Sequence, residues 1–158
     1  MIIRNLNQNI FTMKKLNFTT QINAPRERVW QVLWDDASYR AWTAVFHEGS
    51  HAVSDWQEGS KILFLGPDGN SGMSSRIAKL VPNEVMDFEH LGEMKNGVED
   101  LATAKEQGWA GSHERYFLSN KDGVTELRVD LDATDEFGEY FEKSFPAALA
   151  KIKELSEA

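Results

Sequence analysis

The sequence predicts an α+β fold, a curved antiparallel sheet of about seven strands wrapped around one long C-terminal helix. Three observations lead there. From Thr134 to Ala158, Phe137, Tyr140, Phe141, Phe145, Leu149, Ile152 and Leu155 recur at three- and four-residue steps. Glu139, Glu142, Lys143, Lys151, Lys153 and Glu157 fill most of the opposite face, which is the pattern of a helix with a wide apolar stripe. From Phe46 to Asp132 the apolar period drops to two, broken by turn signals at Glu58-Gly59, Pro67-Asp68-Gly69-Asn70, Pro82-Asn83 and Lys121-Asp122-Gly123. Strands joined by such short turns pair antiparallel. The rings at the start of the terminal helix need a broad apolar surface, and the concave face of the sheet supplies one.

At 158 residues the chain is long enough for one domain with its own core. Residues 1–13 read as a disordered leader, with Met13 a second candidate start, and residues 14–158 as the domain. The chain has no cysteine, which excludes disulfides and thiolate chemistry. A formal charge of −8 disfavours nucleic acid and anionic membrane surfaces as partners. No apolar run approaches the roughly 20 residues of a membrane span. Ile2 and Ile3 are followed by Asn5, Asn7, Gln8 and Asn9, so the apolar run of a secretion signal is missing. The cytoplasm is the expected location.

The elements follow in order. Lys15 to Asn23 alternates, with Leu16, Phe18, Thr20 and Ile22 on one side, and reads as a half-buried strand. Ala24-Pro25 opens a first helix whose buried face is Val29, Trp30, Val32, Leu33 and Trp34. A second short helix covers roughly Asp36 to Trp42. Six strands are expected at 47–54, 60–65, 73–81, 84–91, 112–119 and 124–132. A two-residue turn at Pro82-Asn83 pairs Val81 with Glu84, setting Ile77 opposite Phe88 and Ser75 opposite His90. A turn at Lys121-Asp122 pairs Asn120 with Gly123, setting Leu127 opposite Tyr116 and Val129 opposite Glu114. Leu127, Val129 and Leu131 then face inward, and Glu114, Tyr116 and Leu118 share that face; a one-residue slip would put Arg115 and Phe117 there instead. Pro146 falls inside the terminal helix, so the helix either kinks there or restarts at Phe145 with Ser144 as its cap.

These elements carry a resemblance. Ala24-Pro25-Arg26-Glu27-Arg28-Val29-Trp30, Trp42, Trp56-Gln57-Glu58-Gly59-Ser60-Lys61, Val81-Pro82-Asn83, Glu89-His90-Leu91-Gly92, Glu114-Arg115-Tyr116 and the terminal helix resemble the START-like or SRPBCC superfamily. Its helix-grip fold is that of pollen allergens and steroidogenic lipid-transfer domains. The branch that this chain resembles most is the one related to the activator of the heat-shock chaperone's ATPase. The resemblance covers about residues 14–157. It implies a ligand cavity between the concave sheet face and the terminal helix. The implied lining is Phe18, Ile62, Phe64, Ile77, Phe88, His90, Glu114, Tyr116, Leu127, Val129, Tyr140, Phe141 and Phe145. Residues 93–111 depart from a short connector, and a polar loop of that length suggests a lid or binding loop, with Trp109 either closing the cavity mouth or pinning the loop.

Two sets of polar residues invite a chemical reading. His47-Glu48-Gly49-Ser50-His51 matches the zinc-protease pattern in its letters, but that chemistry needs a helix that puts both imidazoles on one face. Gly49 and Ser50 are poor helix formers, and in an extended chain the two rings lie roughly 13 Å apart. No metal or other cofactor is expected. His90, Glu114 and Tyr116 are polar groups on an otherwise apolar face, where they satisfy one another, orient a ligand's head group, or act as acid and base. Trp30 and Trp34 read as core, Trp42 and Trp56 as wedges at the helix–sheet corner. The glycosylation pattern Asn17-Phe18-Thr19 carries no weight without a secretion signal.

The expected function is therefore a START-like domain that binds a small hydrophobic or amphipathic molecule, lipid-like in character. The resemblance implies an alternative, a protein-interaction module with a chaperone as partner, working in stress response. A cyclase or hydrolase using His90 and Glu114 ranks third, and no catalytic residue is assigned.

Overall fold

Alternating burial builds the sheet. The computed structural model describes residues 10–158. Its strands are β1 (Met13–Ile22), β2 (His51–Val53), β3 (Lys61–Leu65), β4 (Gly72–Val81), β5 (Val85–Lys95), β6 (Val98–Asp100), β7 (Ser112–Lys121) and β8 (Val124–Thr134). They form one curved antiparallel sheet in the order β1-β8-β7-β5-β4-β3-β2, with β6 also on β5. The helices are α1 (Arg26–Trp34), α2 (Asp36–Thr43), α3 (Leu101–Gln107) and α4 (Asp135–Glu157). The architecture is the expected helix grip.

α4 starts where the sequence supplies a cap. The Thr134 hydroxyl oxygen accepts the Phe137 N–H, and Asp135 and Glu136 sit in the first turn, where the helix dipole favours negative charge. Of the two expectations at Pro146, the restart at Phe145 is not found, because the helix is continuous through the proline. Ser144 donates its hydroxyl to the Tyr140 carbonyl at 2.7 Å instead of capping a new helix. The helix lies along β1. Lys14 meets Glu142 at 3.1 Å, Phe18 stacks on Phe145 with ring centroids 4.9 Å apart, and Lys153 Nζ donates to the Gln21 carbonyl at 2.5 Å. Beneath it, Ile22, Val29, Leu33, Ile62, Ile77, Leu127 and Val129 are fully buried, as is Ile152 of the helix itself.

Both hairpin turns differ from expectation while both inner faces survive. Val81 pairs with Val85 rather than Glu84, because Asn83 takes a left-handed backbone (φ 66°) in a three-residue turn. A bulge between Ile77 and Lys79 then takes up the extra residue, so Ile77 still meets Phe88 and Ser75 still meets His90. At the other hairpin Lys121 pairs with Val124, and the turn is Asp122-Gly123, both at positive φ as a type I′ turn requires. Tyr116 therefore lies opposite Val129 and Glu114 opposite Leu131. That is a slip of two, which leaves the faces unchanged.

The segment 93–111 is not a loop. β5 runs on to Lys95, Asn96-Gly97 turns the chain, and β6 pairs back with Glu93 opposite Asp100. Asp100 then caps α3 by accepting the Thr103 N–H at 3.1 Å. The start of α3 crosses Gly92 so closely that a Cβ there would stand 2.5 Å from the Asp100 carbonyl oxygen. β2 is also shorter than expected: residues 44–50 are turns and bends, and pairing begins only at His51. The leader expected over residues 1–13 lies mostly outside the described residues. At its described end, Phe11 donates its N–H to the Gln107 carbonyl, and Met13 opens β1 opposite Thr134. Pro25, expected at the first helical position, is instead the N-cap of α1, which begins one residue later at Arg26.

Candidate functional site

Period-two alternation on β5 and β7 points His90, Glu114 and Tyr116 to the same inner face, where they form one hydrogen-bonded row. Ser75 Oγ lies 2.6 Å from His90 Nδ1, and His90 Nε2 lies 3.1 Å from Glu114 Oε1. The Tyr116 hydroxyl donates to Glu114 Oε2. Burial, followed by the Glu114 charge, pushes the Tyr116 phenol well above its usual range, so it stays a proton donor to the carboxylate. Tyr39 is raised for the same two reasons in the same order. The row is not sealed. The His90 side chain is 10% exposed and the Glu114 side chain 22%.

Ser75 is the member that the sequence did not single out. Its signal was present in the pairing of Ser75 with His90 across β4 and β5. Serine, histidine and glutamate in series suggest a hydrolase triad, but Ser75 is buried at 1% exposure, which leaves its hydroxyl no route to a substrate. The hydrogen bonds hold the side chains of the row in place.

Aromatic side chains surround the row. Phe64 stands edge-on to Phe88 at 5.0 Å and to His90 at 5.9 Å. Trp34, expected as core, stands edge-on to Tyr116 at 4.9 Å and to Phe88 at 5.3 Å. Its indole Nε1 is buried with no hydrogen-bond partner among the described residues, an uncommon condition for a buried donor. Phe46 gathers Tyr140, Phe141 and Phe145 within 6.4 Å, and the Tyr140 hydroxyl donates to the Phe46 carbonyl at 2.7 Å.

The expected lining is thus brought together in part. Ile62, Ile77, Phe88, His90, Tyr116, Leu127, Val129 and Phe145 are buried on the inner face, with Phe64, Glu114 and Phe141 half-buried beside them. Phe18 lies at the β1 margin on Phe145, and Tyr140 is exposed. Trp109 is buried outside the main core cluster, donating its indole N–H to Gln107 Oε1 at 2.9 Å. Two surface grooves open on the β1 flank rather than onto the row. One, of about 410 Å³, lies between β1 and α4; the other, of about 190 Å³, lies beside Met13, Ser112 and Asp132.

The His47–His51 stretch is a turn leading into β2, with Gly49 at φ 88°, so the two imidazoles share no helical face. Among the described residues no group of three or more His, Cys, Asp or Glu is placed to hold a metal, and no helix is long and apolar enough to cross a membrane.

Residues 23–157 match the family described as Activator of Hsp90 ATPase homolog 1-like protein. No curated protein sequence matches the chain. Among solved structures, the Aha1 dimer from Colwellia psychrerythraea superposes with a TM-score of 0.67 at 22% identity, covering 91% of this chain and 96% of that one. Protein CV1439 from Chromobacterium violaceum gives 0.62 at 19% identity over 91% and 97% of the two chains. CalU16 from Micromonospora echinospora gives 0.59 at 16% identity over 91% and 82%. At such identities the likeness is one of fold.

Proposed function

The chain belongs to the Activator of Hsp90 ATPase homolog 1-like family, a family of ligand-binding or interaction domains, and on that premise we propose that it binds a small amphipathic molecule between the sheet and α4. The His90–Glu114–Tyr116 row takes the polar end. The observation that carries this reading is the row itself, a carboxylate and an imidazole set in an apolar face yet still reachable by solvent. The unpaired Trp34 indole N–H adds a donor without an acceptor beside Tyr116. A hydroxyl group suits both kinds of partner, since it donates to a carboxylate and accepts from an indole. The apolar end then packs among Phe64, Phe141 and Phe46, whose rings must part to admit it.

Native mass spectrometry of the protein purified from its own cells, followed by solvent extraction, tests this reading. A stoichiometric apolar adduct bearing a hydroxyl, retained by the wild type and lost from Glu114→Gln, is the expected outcome. An apo mass that stays apo with hydroxylated apolar probes would count against it.

A second reading rests on a different observation. Phe137 (56% exposed), Tyr140 and Val45 leave apolar surface near the start of α4, beside the acids Asp135, Glu136 and Glu139, which have no ion-pair partner among the described residues. Such a patch suits a partner protein offering basic residues around an apolar anchor, and the family's description makes a chaperone the first candidate to pull down.

A further inference from the structure

β1 is an edge strand, and its outer edge is presented to solvent beside a groove. The register with β8 runs unbroken from Met13 opposite Thr134 to Ile22 opposite Thr125. The Gln21 carbonyl accepts from Lys153 on α4, so it points away from β8. Backbone groups alternate in direction along an antiparallel strand, and the N–H and C=O groups of Lys15, Asn17 and Thr19 therefore point the same way. No backbone bond outside the sheet ladders reaches them among the described residues. Their side chains are engaged elsewhere, for Lys15 pairs with Asp132 and Asn17 with Asp130 on the convex face.

The groove of about 410 Å³ runs beside this edge, lined by Asn17, Phe18, Thr19 and Thr20 and by Pro146, Leu149, Ala150 and Lys153 of α4. Its floor is apolar, and the helix offers small residues where an added backbone needs room. From this we infer that the free edge of β1 and the Pro146–Ala150 face of α4 form a docking site for an extended segment of a partner protein, taken up as an added strand. This site is separate from the polar row.

The geometry selects the occupant. Two copies of this chain joined edge to edge would set their β1 strands about 4.8 Å apart. Each β1 carries α4 along it, and packed helices need about 8–10 Å between axes. A lone extended segment brings no helix. Its alternate side chains would face Phe18, Pro146 and Ala150 and should be apolar. Lys15, 84% exposed although it meets Asp132 at 3.0 Å, and Lys153, which meets Glu157 at 3.1 Å, stand toward opposite ends of the edge, and carboxylates on the flanks of the segment would share them with these acids.

The test uses a short acetylated peptide of alternating valine and threonine with a glutamate at each end, titrated into the full chain and read by amide hydrogen exchange. Binding should slow exchange at Lys15, Asn17 and Thr19 by about tenfold or more, while amides bonded to β8 change little. Thr19→Pro removes an edge donor that faces solvent and leaves the β8 ladder intact. Ala150→Arg fills the groove from an exposed helix position and reports even where the proline variant fails to fold. Each should weaken binding about tenfold. Unchanged exchange at saturating peptide, equal affinity in Ala150→Arg, or equal affinity for a peptide with the same residues in blocks would overturn the proposal.

Discussion

The two ends of α4 follow the same apolar period and meet different fates. At the C-terminal end Ala148 and Ile152 are fully buried and Leu149 nearly so, locked over Ile22 and Leu127. At the N-terminal end Phe137 is 56% exposed and Tyr140 42%, with Phe141 and Phe46 gathered beside them. One end spends its apolar residues on the fold and the other leaves them at the surface. A helical stripe in a sequence therefore marks what is able to be buried, and the sheet beneath decides what is.

The largest expected effect tests the closed end. Ile152→Ala removes a fully buried side chain and should cost about 3 kcal/mol in urea unfolding. A cost near that of a surface change would mean that the closed end is not the stabilising one.

Glu114→Gln comes next. It keeps the shape of the row but weakens the charge-assisted bonds to His90 and Tyr116, for an expected loss of about 1–2 kcal/mol by the same measurement. Unchanged stability would show that the row is loosely held in solution.

Tyr116→Phe tests the same row through pH. The Tyr116 phenol is raised above its usual value of 10.0, by burial first and the Glu114 charge second. The folded state thus holds the proton longer than the unfolded one. Stability is then present below pH 10 and falls as pH rises above it. Unfolding free energies across that range should decline less steeply in Tyr116→Phe, Tyr39 supplying the remainder. Identical slopes would contradict the burial of Tyr116.

The smallest effect belongs to the open end. Phe137→Ala should change stability by no more than about 0.5 kcal/mol, and a cost approaching that of Ile152→Ala would erase the contrast between the ends.

Much of this was legible in the sequence, for reasons that particular residues make plain. Alternation carried the inner faces even though both turns were misplaced. The slip at Asp122-Gly123 was two residues, which preserves the pleat, and the shift at Asn83 was cancelled by the bulge after Ile77. The missed elements, β6 and α3, had local signals in Asn96-Gly97, in Asp100 three residues before Thr103, and in Gly108 with its left-handed φ of 82°. Their shortness hid them, since three strand residues and seven helical ones show too little period to stand out. The row was legible in His90, Glu114 and Tyr116 because side-chain direction follows register. Ser75 was legible only as the residue opposite His90; its hydrogen bond and the unpaired Trp34 indole were not, because hydrogen-bond satisfaction depends on packing that no periodicity encodes.

The most direct test of the account follows the Trp34 indole N–H signal in two-dimensional NMR spectra while 1-naphthol, an apolar hydroxyl probe, is titrated in. A saturable shift of that signal is expected, with companion shifts at His90 and Glu114 and a weaker affinity in Glu114→Gln. A Trp34 signal that stays fixed while shifts appear only around Phe137 and Tyr140 would contradict it, and would move the binding function to the open surface of α4.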